Sequence, residues 1–234
     1  NKPFFWNSTG AVTLSLWGWQ APFSFSVGSQ ERSWTQPFNR YGVSPYYKWV
    51  KLHLGYRSMR FNPYTFAGLQ FFGGGVELEP KGFRFGAFYG RFNKPISQDT
   101  LGAIVPVPAY RRMGMGMKVG AGNRRNFVDL LFFRAIDDAN SIPEVQQGTR
   151  VTPMENLALG WSSRIGLGEH LSWELDMGAS ANTNDTRNPE LDTTQVPDFV
   201  KTVFRPRFGS KALFAGNTSL RWTSRRFGLR LQYK

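Results

Sequence analysis

Two acidic side chains, Glu174 and Asp176, have the type and spacing that acid–base catalysis uses. One residue separates them within an alternating segment, so a β-strand would place both carboxyl groups on the same face. Such a pair can divide the roles of general acid and general base. Acids on one strand face more commonly pair with arginines of neighbouring strands. We therefore expect ion pairing here, and catalysis is the alternative.

Other residues with catalytic or metal-binding chemistry are sparse. The chain has two histidines, His53 and His170, and no cysteine. His170 lacks the second histidine of a zinc-protease helix and lies in a strand-like pattern. The sequence has neither a Gly-x-Ser-x-Gly elbow nor a Walker A loop. We therefore predict that the protein is not an enzyme and binds no metal ion or cofactor.

A glycine run at positions 73–75 could in principle cradle a phosphate. Glycine inside a strand more often marks a bulge, a bend or the close approach of another backbone. Because the run lies inside a predicted strand, 68–79, we expect one of these structural roles.

The segments that must position these residues alternate between two kinds of side chain. Segments 83–90 (FRFGAFYG) and 113–120 (MGMGMKVG) both show the pattern. Successive side chains of a strand point to opposite faces, so a period of two residues predicts β-strands. The pattern recurs along most of the chain, and its apolar face is often aromatic.

This alternation predicts an all-β fold, an antiparallel transmembrane β-barrel that forms a single domain over residues 1–234. The polar faces are rich in Gly, Ser and charge, which would pack poorly in a soluble core, whereas lipid outside and water inside would suit both faces. We find no apolar run of about 18 residues, so no helical span is predicted. A soluble β-sandwich or lipocalin-like barrel is the alternative. The predicted outward-facing residues are Val50, Leu52, Leu54, Phe83, Phe85, Met113, Met115, Met117, Leu171, Trp173, Leu175, Phe227, Leu229 and Leu231.

Long and short connections separate roughly ten or eleven predicted strands. The long ones, at 28–45, 93–109, 137–153 and 182–210, alternate with tight turns along much of the chain. Bacterial outer-membrane barrels have this asymmetry. Such barrels usually finish on an aromatic residue, whereas this chain ends Tyr233–Lys234. We therefore expect the barrel to continue beyond residue 234.

The charge is strongly positive, at +13 with a pI of about 10.3. The Lys and Arg residues are dispersed along the chain, and nucleic-acid binders usually cluster them in a patch, so no nucleic acid is expected as a partner. Many occupy the polar side of alternating strands, which predicts a cationic lumen. The predicted lumen-facing cations are Lys51, Arg57, Arg84, Lys118, Arg164, Arg226 and Arg230, and the facing acids are Glu77, Glu174 and Asp176.

Several runs between about residues 17 and 165 carry a family resemblance. They are 21–26 (APFSFS), 36–39 (QPFN), 44–49 (SPYYKW), 53–59 (HLGYRSM), 61–68 (FNPYTFAG), 74–78 (GGVEL), 89–92 (YGRF) and 108–114 (PAYRRMG). Together they resemble a family of large, poorly characterised outer-membrane β-barrel proteins from Bacteroidota. The resemblance implies that the protein is located in the bacterial outer membrane. Members of that family are longer than this chain. It implies no activity for individual residues.

These observations favour a non-enzymatic integral outer-membrane protein that is a subunit of a larger cell-envelope assembly. Its partners would be outer-membrane lipid and other envelope proteins, bound in part through the long loops. The alternative is a porin-like channel whose cationic lumen prefers anions.

Overall fold

A computed structural model describes residues 4, 6–29, 39–97, 107–143, 151–191 and 203–234. Thirteen strands in this part of the chain form one antiparallel sheet. The first seven are β1 (Asn7–Leu16), β2 (Trp19–Gly28), β3 (Arg40–Val43), β4 (Tyr46–Tyr47), β5 (Val50–Ser58), β6 (Gln70–Leu78) and β7 (Phe83–Asn93). The others are β8 (Arg111–Gly122), β9 (Phe127–Asp138), β10 (Glu155–Leu167), β11 (Leu171–Thr183), β12 (Lys211–Thr223) and β13 (Gly228–Tyr233). The predicted all-β, antiparallel architecture is confirmed.

Each strand pairs with its neighbours in chain order, so the sheet is a meander. The short strands β3 and β4 share one position between β2 and β5. Pro45 separates them, and proline has no N–H to donate to a ladder. The predicted loop over 28–45 was therefore wrong at residues 40–43, which pair as strand, while residues 30–38 lie outside the described part of the chain.

Short and long connections leave the sheet at opposite ends. The short end includes the turn at Trp17–Gly18, where both residues have positive φ, 48° and 82°. Such a pair suits a two-residue hairpin whose twist matches that of its strands. The long end carries the connections after β2, β5, β7, β9 and β11. We call the two ends the turn side and the loop side.

Strand β1 and strand β13 are the two edges of the sheet, and each pairs with one neighbour within the described residues. In the ladder between β12 and β13, Leu220 lies opposite Leu231. No ladder between β1 and β13 is found in the described part of the chain.

The pairing register divides the side chains between two faces. Thirteen of the fourteen predicted outward-facing residues share one face, and the fourteenth, Phe227, lies in the turn before β13. None of the fourteen is buried. We call this the apolar face, and the opposite one the inner face.

Candidate functional site: the packed inner face

The connection between β5 and β6, residues 59–69, folds back across the inner face of the sheet. We call it the inserted segment. Its Met59 contacts the position of Gly75 in β6, and its Tyr64 contacts the position of Gly178 in β11. The inserted segment therefore extends over five strand spacings of the inner face, from β6 to β11.

Asn62 fixes the shape of the inserted segment and ties it to the sheet. Its Oδ1 accepts hydrogen bonds from the backbone N–H groups of Tyr64 (3.1 Å) and Thr65 (2.7 Å). Its Nδ2 donates to the carbonyl oxygens of Met177 in β11 (3.1 Å) and Trp161 in β10 (3.4 Å). The side chain is 2% exposed. The amide oxygen and the amide nitrogen of Asn62 both have hydrogen-bond partners, so burial leaves neither of them unpaired.

Glycines on the inner face make room for the inserted segment. A Cβ atom added at Gly178 would lie 2.6 Å from Cβ of Tyr64, and one at Gly75 would lie 2.7 Å from Sδ of Met59. A Cβ atom at Gly160 would collide with Oγ1 of Thr65. Real Cβ atoms do not approach so closely, so a small residue is required sterically at Gly178, where the opposing atom is a Cβ, whereas at Gly75 the flexible end of Met59 would have to move.

The glycine run at 73–75 has the structural role expected from its place in a strand. A Cβ atom added at Gly73 would collide with the backbone carbonyl of Tyr89 in β7, and Gly75 faces Met59. Close approach of neighbouring groups therefore explains two of the three glycines.

Aromatic rings fill the middle of the inner face. Phe66 of the inserted segment lies with ring centroids 4.6 Å from Phe88 and 5.1 Å from Phe133, and Phe71 lies 4.6 Å from Phe88. Phe92 completes the contacts of Phe66, at 5.9 Å. These spacings are typical of stabilising ring pairs. The result is a dry cluster, joined by Met59, Phe61, Ala135 and Ala158.

One group of charged side chains lies on the inner face closer to the turn side, and most of its members are paired. Arg84 of β7 donates from Nε (2.8 Å) and Nη2 (3.0 Å) to the two carboxylate oxygens of Asp129 in β9. The side chain of Asp129 is 5% exposed. The guanidinium of Arg84 also lies 4.2 Å from the ring centroid of Phe127. This bidentate geometry is the strongest form of a side-chain ion pair.

A second charged group links β5 and β6 to the connection between β3 and β4. Glu77 of β6 accepts from Nζ of Lys51 (3.2 Å) and contacts Nε2 of His53 (2.6 Å). The other ring nitrogen of His53 lies 3.2 Å from the hydroxyl of Ser44. His53 is 3% exposed. Both ring nitrogens therefore have protein partners, which leaves neither directed at solvent.

The two acids with catalytic spacing have partners in the neighbouring strand. Glu174 forms an ion pair with Arg164 at 2.8 Å, and Asp176 accepts a hydrogen bond from the hydroxyl of Ser162 at 2.6 Å. The predicted pairing of these acids with a neighbouring arginine is therefore seen for Glu174. Asp176 pairs with a hydroxyl group instead.

The structure places six of the seven predicted lumen-facing cations on the inner face: Lys51, Arg57, Arg84, Lys118, Arg164 and Arg230. The seventh, Arg226, lies in the turn before β13 and belongs to neither face. Lys118 reaches Glu79 at 3.9 Å. Arg57 donates to the hydroxyl of Ser24 (2.7 Å) and to the carbonyl oxygens of Pro22 and Gly42.

Sequence reasoning missed both Asp129 and the inserted segment. Asp129 lies between Val128 and Leu130 in an apolar run. The only sequence signal for its role was its place in the alternation, which puts it on the face opposite to that of its two neighbours. The motif Asn62–Pro63–Tyr64 indicated a turn, and nothing local shows that this turn lies against strands a hundred residues later.

Within the described residues, no cluster of His, Cys, Asp and Glu could hold a metal ion. Across the same ranges, no helix has both the length and the apolar character needed to cross a bilayer. Comparison with family models, with curated proteins and with solved structures gave no match.

Proposed function

We propose that this protein spans a bacterial outer membrane as the wall of an antiparallel β-barrel, with the apolar face toward lipid. The observation that carries the proposal is the exposure of large apolar side chains across the whole sheet. Leu14 in β1, Leu130 in β9 and Leu231 in β13 are 64%, 58% and 59% exposed. Soluble monomers rarely expose contiguous apolar patches of more than a few hundred Å².

The position of the two charged groups nearest the turn side supports the same assignment. The ion pairs of Arg84 and Glu77 lie on the inner face, where charge costs little when acids and water surround it. On a lipid-facing surface each Arg or Lys at mid-depth would cost roughly 2–4 kcal/mol. The apolar band and the inner charges therefore fit one orientation, with lipid outside.

Quenching of tryptophan fluorescence by brominated acyl chains tests this orientation. Trp161 and Trp173 lie on the apolar face. In vesicles of brominated lipid we expect strong quenching, part of which is lost in Trp161→Phe and Trp173→Phe. A protein that stays monodisperse in detergent-free buffer, with unquenched tryptophans, would contradict membrane insertion.

The proposed role is that of a non-enzymatic subunit of a larger envelope assembly. The aromatic cluster and the inserted segment occupy the middle of the inner face, where an open channel would need water. The loop-side connections offer surfaces for other envelope proteins. Purification from native membranes after mild cross-linking, followed by mass spectrometry, should recover the same partners repeatedly. Recovery of the chain alone would contradict this role.

A porin-like channel with anion preference is the second candidate. It is favoured by the small polar residues on the inner face near both edges of the sheet, which include Ser24, Ser26 and Asn217. Because Arg84 and Lys118 face acids, an anion preference would rest on Arg221 and Arg230. Reconstituted protein should show chloride-selective conductance that Arg230→Gln reduces. Absence of conductance favours the subunit role, and cation preference would contradict a cationic lumen.

We further propose that the edges β1 and β13 are covered by additional strands, from the same polypeptide or from another chain. Unpaired backbone groups are not tolerated in lipid, so both edges need a partner. The chain has no cysteine of its own, which gives a clean background for cross-linking. The double variant Val12→Cys with Leu231→Cys should form no disulfide within one chain. Efficient intramolecular cross-linking would indicate direct closure of β13 onto β1.

A further inference from the structure

Three neighbouring turns on the turn side line an open cavity of about 510 Å³. They are the turns between β4 and β5, between β6 and β7, and between β8 and β9. The backbone N–H of Gly122 donates to the carbonyl oxygen of Gly82 at 3.1 Å, which joins the second turn to the third. The cavity is therefore built by backbone contacts between turns.

The lining of this cavity is strongly cationic. Five cations line it against two acids, Glu77 and Glu79. Both acids already have cationic partners, since Glu77 faces Lys51 at 3.2 Å and Glu79 faces Lys118 at 3.9 Å. The lining cations are Lys48, Lys51, Lys81, Arg84 and Arg124.

Three of the five cations have no acidic partner among the described residues, although Nζ of Lys48 lies 4.9 Å from the ring centroid of Tyr47. Lys51 is held by Glu77, and Arg84 by Asp129. Lys48, Lys81 and Arg124 are exposed and form no ion pair with any described acid. Their positive charge is therefore uncompensated by the described acids that line the cavity.

Apolar side chains line the same cavity beside these cations. Trp49 is 50% exposed and Phe83 is 43% exposed, and both are lining residues together with Val50. Val50 and Phe83 belong to the apolar face. The cavity thus joins a cationic wall to the edge of the apolar face, where aromatic girdles mark the membrane interface.

We propose that this cavity binds the phosphate headgroup of an anionic phospholipid, with the acyl chains directed over Phe83 and Trp49 onto the apolar face. The proposal rests on the proposed membrane location and adds that the turn side meets the anionic leaflet. A soluble phosphate would use the cations alone and would leave the apolar lining without a role. Lysine and arginine attract anionic headgroups by Coulomb forces close to the surface.

Native mass spectrometry of the full chain in detergent micelles tests the site with short-chain lipids. The probes are dihexanoyl phosphatidylglycerol, dihexanoyl phosphatidylcholine and glycerol phosphate. We expect phosphatidylglycerol to bind most tightly to the unaltered protein, a comparison that needs no variant to fold. The triple variant Lys48→Gln, Lys81→Gln, Arg124→Gln should weaken phosphatidylglycerol binding roughly fivefold per cation, on the order of 100-fold in all.

A matched control is the double variant Arg225→Gln, Arg226→Gln. It removes two exposed cations from the turn between β12 and β13, which does not line the cavity. We expect this variant to retain phosphatidylglycerol binding. An equal loss in the double variant would overturn the site in favour of diffuse attraction along the whole turn side.

Two further outcomes would overturn the proposal. Equal binding of phosphatidylcholine would show that the headgroup charge is not recognised, and binding of glycerol phosphate as tight as phosphatidylglycerol would indicate a soluble phosphate ligand. Bilayer insertion is measured separately by the brominated-lipid assay. Insertion without headgroup selectivity refutes the site alone, whereas failure to insert refutes the membrane proposal.

Discussion

The middle of the sheet, strands β6 to β11, and its margins, β1, β2, β12 and β13, share one apolar face but differ on the other. In the middle, the inner face holds the aromatic cluster, the inserted segment and the Arg84–Asp129 pair. At the margins, it carries small polar residues, such as Ser24 in β2 and Asn217 in β12.

The difference shows that one alternating pattern can serve two interiors. In the middle, glycine at inner positions creates space that the inserted segment then fills, so the strands are held by packing on the inner face as well as by the backbone ladder. At the margins, the inner side chains contact few other groups, and the backbone ladder carries the structure. We therefore expect substitutions on the inner face to cost far more in the middle than at the margins.

The largest expected effect is at the centre of the aromatic cluster. Phe66→Ala removes a ring that is 2% exposed and contacts four others, and should cost about 3–5 kcal/mol of unfolding free energy. The control Leu213→Ala removes an inner-face side chain of β12 that is 58% exposed, and should cost about 0.5 kcal/mol. Urea unfolding in detergent compares the two. Equal losses would remove the distinction between middle and margin.

The second largest loss of stability is expected when the buried ion pair between Arg84 and Asp129 is broken. Asp129→Asn leaves Arg84 without its anionic partner on the inner face, and should cost about 3 kcal/mol. Arg230→Gln in the edge strand, where the guanidinium only approaches Ser219 at 3.4 Å, should cost less than about 0.5 kcal/mol. Thermal unfolding of both variants in one detergent measures the contrast. A smaller loss for Asp129→Asn would mean that water reaches this part of the inner face.

Two glycines in adjacent strands test the steric argument. Gly178→Ala forces a Cβ atom against Cβ of Tyr64 and should cost about 2 kcal/mol, because neither backbone can move freely. In Gly216→Ala the nearest atoms lie at 3.5 Å, an ordinary contact, so stability should stay the same or rise by about 0.5 kcal/mol. Proteolysis of the inserted segment in the folded protein should increase only in the first variant. Tolerance of Gly178→Ala would show that the inserted segment can leave the sheet.

The smallest effect is expected for an ion pair near the turn side. Lys51→Gln removes a cation whose side chain is 46% exposed, and Glu77 keeps its contact with His53 at 2.6 Å. Exposed pairs contribute about 0–1 kcal/mol, so the loss should be below about 1 kcal/mol. The same urea titration measures it. A loss as large as that of Asp129→Asn would place Lys51 in a dry interior.

The sequence by itself determined the strands and their faces. Alternation in segments such as 113–120 and 171–180 is local, because each residue's face follows from its parity within the strand. The predicted apolar set therefore falls on one face, and strand ends such as Phe83 and Leu171 agree with the structure. The sequence-based prediction of strands failed at residues 40–47. Two short strands flank a proline there, and they pair with β2 and β5.

Tertiary structure alone decided what fills the inner face. Asn62 reaches carbonyl oxygens of residues 161 and 177, which no local pattern links to it. The meander places β10 and β11 side by side, and the inserted segment then occupies the space that the glycines at 160 and 178 leave. Alternation specifies which side chains point inward, whereas the contacts of those side chains depend on residues far away in the chain.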